Sequence, residues 1–273
     1  MPLSDDEFMR YSRQILLPEV GELGQSALKN AKVLIVGVGG LGQLAAQYLA
    51  AAGVGQLTLV DDDRVERSNL PRQLLFDDKD IGEYKSSRAR DKLMQRYPNS
   101  EINGIIKRLS LDNASGIIEW ADIVLDCSDN LETRHHVNQT CVSFPTPLVT
   151  ASVAHFSGFL FAVDLKQAPD AGCYACLFPM DTLVTTSCST AGVLGPMVGT
   201  LASMQTLMAI NLLLGIGKVW GKLLRFDGLE FKWREASLSR NPECPVCPVC
   251  PVCAGVINPL LLDAQKEVCH AEY

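Results

Sequence analysis

The chain has 273 residues and ten cysteines, with 24 Lys or Arg against 31 Asp or Glu, a formal net charge of −7. That length holds one large α/β domain or two small ones, and the apolar fraction is ordinary for a globular protein. The acidic balance argues against non-specific nucleic-acid binding.

The opening "MPLSDDEF" is acidic and has no apolar core, so neither a secretory signal nor a basic transit peptide is expected. A reducing cytoplasm follows as the expectation. There, cysteines serve as metal ligands, reactive thiols or core rather than in disulfides. "SDDE" at residues 4–7 is a capping box and predicts a helix through "FMRYSRQILL", with Phe8, Tyr11 and Ile15 on one face. "KVLIVGVGGLG" then reads as strand and glycine turn, with an Ala/Leu-rich helix after Gly42. "QLTLVDDD" is a second strand ending in three carboxylates.

A polar loop follows, then a helix "KSSRARDKLMQRY" stopped by Pro98. Next come the strand "EINGIIKRL", the helix "ASGIIEWA", and the strands "DIVLD" and "PLVTASV". The segments "GFLFAVDL", "LLRFDGL" and "FKWREASL" lack intervening helices and predict antiparallel strands. Residues 182–217 carry no charge, but Pro, Gly, Ser, Gln and Asn interrupt their apolar run. A buried core or interface helix is expected there rather than a membrane span. The sum is a Rossmann-like doubly wound α/β sheet, parallel in its first half and antiparallel in its second. One domain over residues 1–243 precedes a cysteine-rich tail over residues 244–273.

Gly37, Gly39, Gly40 and Gly42 lie between a strand and a helix, the context a dinucleotide fingerprint needs. Glycines permit the tight turn and let phosphate approach the helix N-terminus. Asp61 closes the second strand, where a carboxylate accepts bonds from ribose hydroxyls. Asp126 and Asp129 close the "DIVLD" strand and are expected at the same crevice. A nicotinamide dehydrogenase shares these features. Asn69, Arg72, Gln73 and Lys85 tilt the reading toward ATP, because cations suit a triphosphate whose charge must be spread. Asp129 is a hard oxygen ligand suited to magnesium.

"CYAC" supplies Cys173 and Cys176, and "ECPVCPVCPVC" supplies Cys244, Cys247, Cys250 and Cys253. Two Cys-x-x-Cys knuckles far apart in sequence predict a tetrahedral zinc site that takes two ligands from the tail. Neither knuckle starts a helix in a thioredoxin-like context, which disfavours redox chemistry. Cys127 and Cys141 are expected in the core, and Cys269 in a polar terminus without a task. Cys188 sits in "TTSCSTAG", a loop of small polar residues, where it is either a nucleophile or a tolerated loop thiol. His135 and His136 have no second ligand pair nearby and read as a solvated helix face.

Taken together, "RYSRQILL", "GVGGLG", "LVDDD", "SNLPRQ", "DCSDN", "CYAC" and "RNPECPVC" resemble the ThiF/MoeB/HesA group, bacterial relatives of ubiquitin-activating enzymes. The triple aspartate, "LVTASV" and "CSTAGVLGP" lean toward the ThiF branch. The resemblance implies ATP-dependent adenylation of the C-terminal glycine of a small ubiquitin-like sulfur carrier, in thiamine thiazole biosynthesis. Molybdopterin synthesis and tRNA thiolation are the alternative destinations. It implies Asp61 on the ribose and Asn69, Arg72 and Lys85 on the phosphates. Asp63, Gln73 and Asn130 are further nucleotide contacts, and Asp129 serves magnesium. It also implies that Arg13 reaches into a partner subunit's site in a homodimer. Cys188 matches the sulfur-transfer loop cysteine, and Cys173, Cys176, Cys244 and Cys247 match the zinc ligands. A sulfur donor such as a cysteine desulfurase is a further implied partner. Pro71 departs from the usual "NLQRQ", and the expanded tail leaves Cys250 or Cys253 as substitute ligands. Against this stand an NAD-dependent oxidoreductase and a zinc-stabilised binding scaffold without turnover.

Overall fold

The computed structural model describes residues 3–182 and 192–247. Helix α1 (Asp5–Ile15) is capped as the sequence predicts. The Ser4 hydroxyl accepts from the Glu7 amide at 3.3 Å, and the Glu7 carboxylate accepts from the Ser4 amide at 2.8 Å. Tyr11 is buried, but Phe8 stays largely exposed, so the predicted apolar face is only partly covered within the chain. A second helix, α2 (Gly21–Asn30), follows where the sequence suggested no element. Its buried positions are Gln25 and Leu28; Gln25 donates to Ala52 O at 2.9 Å and accepts from Gln14 at 2.7 Å.

The core alternates β1 (Lys32–Val36), α3 (Gly40–Ala51), β2 (Gln56–Val60), α4 (Lys85–Arg96), β3 (Glu101–Ile105), α5 (Leu111–Ile118), β4 (Ile123–Asp126), α6 (Leu131–Ser143) and β5 (Leu148–Ala154). The second half adds β6 (Ser157–Val163), α7 (Tyr174–Leu177), α8 (Gly195–Leu213), β7 (Lys222–Asp227) and β8 (Lys232–Ser237). The strands form one sheet in the order β3-β2-β1-β4-β5-β6-β7-β8. Pairing is parallel from β3 through β5 and antiparallel from β5 through β8. The mixed architecture is therefore as the sequence predicts. Strand order reverses between β1 and β4, and a doubly wound sheet opens its crevice at such a switch point.

Two apolar layers sandwich the sheet. Helices α3, α4 and α8 cover one face, where Val33, Ile35, Leu57, Leu59 and Leu125 point. Helices α5 and α6 cover the other, where Leu34, Val36 and Val124 join Cys141, Cys173, Cys244 and Cys247. The start of the tail is thus packed into the body of the domain.

Helix α8 is long and apolar enough to cross a membrane by length and composition. In the fold it lies against α3, β5 and β6, with Leu201, Ala202, Gln205 and Ala209 buried. Gln205 donates to the carbonyls of Asp126 and Val149 at 3.1 and 3.0 Å, so even its polar side chain is committed to the sheet. Cys127 and Cys141 are core thiols, and burial pushes both well above the ordinary thiol range.

Candidate active site

The carboxyl ends of β1, β2 and β4 open onto one cleft of about 410 Å³. The turn after β1 forms its floor. Gly37 has φ +88°, and a Cβ there would lie 2.8 Å from the Cys127 carbonyl oxygen, so only glycine fits. Gly39 and Gly40 also line the cleft. Gly42 does not, contrary to the expected nucleotide contact. It lies in the first turn of α3, which begins at Gly40 rather than after Gly42. A Cβ on Gly42 would run into the Gly37 carbonyl oxygen and come within 3.1 Å of Ile35 Cγ2. Its task is close approach of helix to strand.

Asp61 reaches from the end of β2. Its carboxylate accepts from the Val38 amide at 2.6 Å and the Asp63 amide at 2.7 Å. Burial nevertheless pushes its pKa up to about 6, against the pull of Lys85 and those two donors. Lys85 is buried at the start of α4, with Nζ 2.9 Å from the exposed Asp63 carboxylate. The loop between β2 and α4 supplies the rest of this wall. Arg72 donates to Ser68 O at 2.8 Å, Asn69 is buried, and Gln73 is buried with Oε1 lacking a partner. Such a buried acceptor suits a donor from outside the chain. The fully buried Asp80 accepts from Arg88 at 2.9 Å and pairs with Lys92, which pins this loop to α4.

Opposite stand Asp129, exposed on the wall, and Asn130, which caps α6 by accepting from the Thr133 amide at 2.9 Å. Asp126 does not reach the crevice as expected. It is buried and accepts from Ser128 Oγ at 2.6 Å and Thr150 Oγ1 at 2.8 Å, with Arg134 at 3.5 Å. Arg134 was not among the expected site residues, yet it lines the cleft. It also donates to the carbonyls of Ser128 and Ala151, fixing the loop that carries Asp129. The one available signal was its place one helical turn beyond Asn130. Lys107 and Arg108, just past β3, are further unpredicted cations on the wall.

Arg13 is exposed on α1 and does not line this cleft. Cys188, Cys250 and Cys253 lie outside the described residues. His135 contradicts the solvated-face expectation. It is buried in a T-shaped contact with the Tyr174 ring, 5.4 Å between centroids, and burial lowers its proton affinity. Helix α6 is polar in composition but enclosed by β4, α5 and α7. Arg134 and Asn138 are hydrogen-bonded inside, whereas both His135 ring nitrogens and His136 Nδ1 are buried without a partner among the described residues.

On the far side of α6, Cys173, Cys176, Cys244 and Cys247 bring four sulfurs within 4.8 Å of one another. Cys173 and Cys244 are 3.8 Å apart, and Cys176 and Cys247 are 3.5 Å apart. Zinc–sulfur bonds of about 2.3 Å in a tetrahedron need sulfur–sulfur edges of about 3.8 Å. The donor set and spacing therefore fit zinc. The backbone amides of Asn241 and Cys247 point at Cys176 and Cys244 at 3.4 and 3.5 Å.

A doubly wound sheet with a glycine turn, a carboxylate at the second strand and a cationic wall defines a nucleotide-binding α/β protein. The family model described as "ThiF family" matches residues 11–246. The chain belongs to the ThiF family. It is 46% identical over 243 residues to the sulfur carrier protein ThiS adenylyltransferase of Escherichia coli K12, covering 89% of this chain and 96% of that one. The adenylyltransferase and sulfurtransferase MOCS3 of Drosophila yakuba is 44% identical over 89% of this chain, but the match spans only 54% of that protein. Among solved structures, E. coli MccB with ATP superposes with a TM-score of 0.75 at 25% identity, covering 88% of this chain and 74% of that one. MccB with MccA-N7isoASN gives 0.77, also at 25% identity, covering 88% and 75%.

Proposed function

We propose that this enzyme adenylates the C-terminal carboxylate of a small ubiquitin-like sulfur carrier, as the ThiS adenylyltransferase it resembles does by name. The observation that carries the assignment is the convergence of Arg72, Lys85, Asp61 and the Gly37–Gly40 turn on one cleft. Thiamine thiazole synthesis is the favoured destination of the activated carrier. The MOCS3 relatives point toward other thiolation products. Because this chain spans about half of them, their sulfurtransferase activity is not carried across.

A carboxylate needs no general base near neutral pH, since it is already ionised. One of its oxygens attacks the α-phosphorus in line, the α–β bridging bond breaks, and pyrophosphate departs. The product is a mixed anhydride of glycine and AMP. The chain's tasks are positioning and charge neutralisation. Asp61 orients the ribose. The Gly37–Gly40 turn lets phosphate approach the N-terminus of α3, with Asn69 and Gln73 beside it. Arg72 and Lys85 spread the growing charge, which requires Lys85 to exchange Asp63 for phosphate. Asp129, with Asn130 beside it, would hold magnesium, whose charge helps pyrophosphate leave.

Cys173, Cys176, Cys244 and Cys247 would hold a structural zinc, all four positions being filled by protein. Arg13 is assigned to the cleft of a second subunit in a homodimer, consistent with its exposure and its absence from its own cleft. Sulfur transfer through Cys188, from a donor such as a cysteine desulfurase, and a cytoplasmic setting both rest on the resemblance to the ThiF family. The deciding assay is ATP–pyrophosphate exchange with candidate carriers added singly. Exchange should require a free C-terminal glycine on the carrier. It should fall by ~10² or more in Arg72→Ala and Asp129→Ala. Full exchange in both variants would sink the assignment of this cleft.

A further inference from the structure

Helix α6 carries one buried residue whose polar ends are both spent on the first cysteine knuckle. Asn138 is fully buried, and its Nδ2 donates to Cys173 Sγ at 3.4 Å. Its Oδ1 accepts from the Tyr174 amide at 2.9 Å. The other described N–H groups aimed at the sulfurs come from backbone beside the second knuckle, at Asn241 and Cys247. Asn138 instead arrives from a separate element, 35 residues before Cys173. His135, one turn earlier, packs its ring in a T-shaped contact with Tyr174.

We propose that Asn138 is a positioning residue for the tetrathiolate metal site, with its amide N–H stabilising the Cys173 thiolate in the metal-bound form. The inference rests on the zinc reading given above. Its physical basis is the pair of bonds from one buried side chain to the first knuckle. A metal-bound cysteine is a thiolate, and hydrogen bonds to an ionised partner are roughly twice as strong as neutral ones. The second bond, from the Tyr174 amide, fixes the Cys173–Tyr174 peptide and so limits where Sγ can point. Outer-shell partners of this kind are typically worth 10–100-fold in affinity, by analogy with other metal sites.

The test is zinc competition against a chromophoric chelator, using the full chain as wild type, Asn138→Ala and Asn138→Asp. Wild type should bind one zinc per chain; if it binds none, the metal reading itself fails. Given wild-type binding, Asn138→Ala should raise the zinc Kd roughly tenfold or more. Asn138→Asp retains an acceptor for Tyr174 but loses the donor and adds a negative charge beside Cys173, so its Kd should rise at least as far. An unchanged Kd in folded Asn138→Ala, which loses both bonds and adds no charge, would overturn the proposal. Should either variant fail to fold, wild type loaded with an NMR-active cadmium isotope decides the matter. Scalar coupling between the metal and the Asn138 side-chain amide proton is expected, and its absence would reject the bond.

Discussion

Gly42 and Gly39 should separate packing from phosphate binding when each is replaced by alanine. At Gly42 the new methyl meets backbone, with the Gly37 carbonyl carbon at 3.0 Å and Ile35 Cγ2 at 3.1 Å, and the carbonyl oxygen nearer still. Backbone cannot swing aside as a side-chain tip does, so α3 must lift from β1. Overpacking of this kind costs about 3 kcal/mol, the upper end of the usual range. Alanine's better helix propensity returns at most about 1 kcal/mol. The net loss of about 2 kcal/mol corresponds to a Tm lower by roughly 4–8 °C in a chain of this size. At Gly39 the nearest atom is Gln73 Nε2 at 3.6 Å, an ordinary contact, but the glycine lines the cleft. Gly39 is the N-cap of α3, where alanine is worse than glycine. Gly39→Ala should therefore cost about 1 kcal/mol, roughly 2–4 °C in Tm and less than Gly42→Ala, while losing nucleotide affinity. Differential scanning calorimetry without ligand and titration calorimetry with ATP read the two effects separately. A normal Tm in Gly42→Ala, or unchanged ATP affinity in Gly39→Ala, would refute this division of labour.

Three further outcomes follow from the site. Asp61 has a pKa raised to about 6, and only its ionised form can accept from both ribose hydroxyls. ATP affinity should therefore hold above pH 6 and be lost as pH falls through it, by up to about tenfold per pH unit for one proton; a flat Kd from pH 7 to 5 would contradict this. Cys173→Ser should release zinc and lower Tm, because Cys173 is wholly buried within the apolar layer that includes Cys244 and Cys247. Metal analysis and melting curves of the variant check both effects. For the shared site, mixing inactive Arg13→Ala with inactive Arg72→Ala should restore part of the exchange activity, since one hybrid cleft then holds both arginines. No recovery after proven subunit exchange would place Arg13 outside the reaction.

Much of the sheet was legible because its parallel strands, buried on both faces, are short continuous β-branched runs punctuated by glycine and carboxylates. The nucleotide wall was legible for the same reason: Asp61, Lys85 and Asp129 all sit at strand ends or helix starts. Helix α2 was hidden because its inward residues are Gln25 and Leu28, too few apolar positions to show a period. Helix α6 misled in the opposite direction. "LETRHHVNQTCVS" looks solvated, yet Thr133, Arg134, His135 and Asn138 are buried, and partners from distant segments take up much of their polarity. Those partners, Thr150 and Cys173 among them, are set by tertiary structure and leave no local trace. Asp126 and Gly42 show the same limit, since a motif position does not say whether the residue faces the cleft or the packing beneath it.

Helix α6 also bears on how the two ends of the molecule communicate. Asn130 caps it at the cleft and Asn138 bonds Cys173 at the knuckle. These residues stand on one rod, about 12 Å apart along its axis. A rigid connector of this kind makes the two sites candidates for thermodynamic linkage, and linkage runs both ways. If zinc tightens ATP binding by some factor, ATP must tighten zinc binding by that same factor. Nucleotide occupancy would then set how firmly the four cysteines hold zinc when it is scarce.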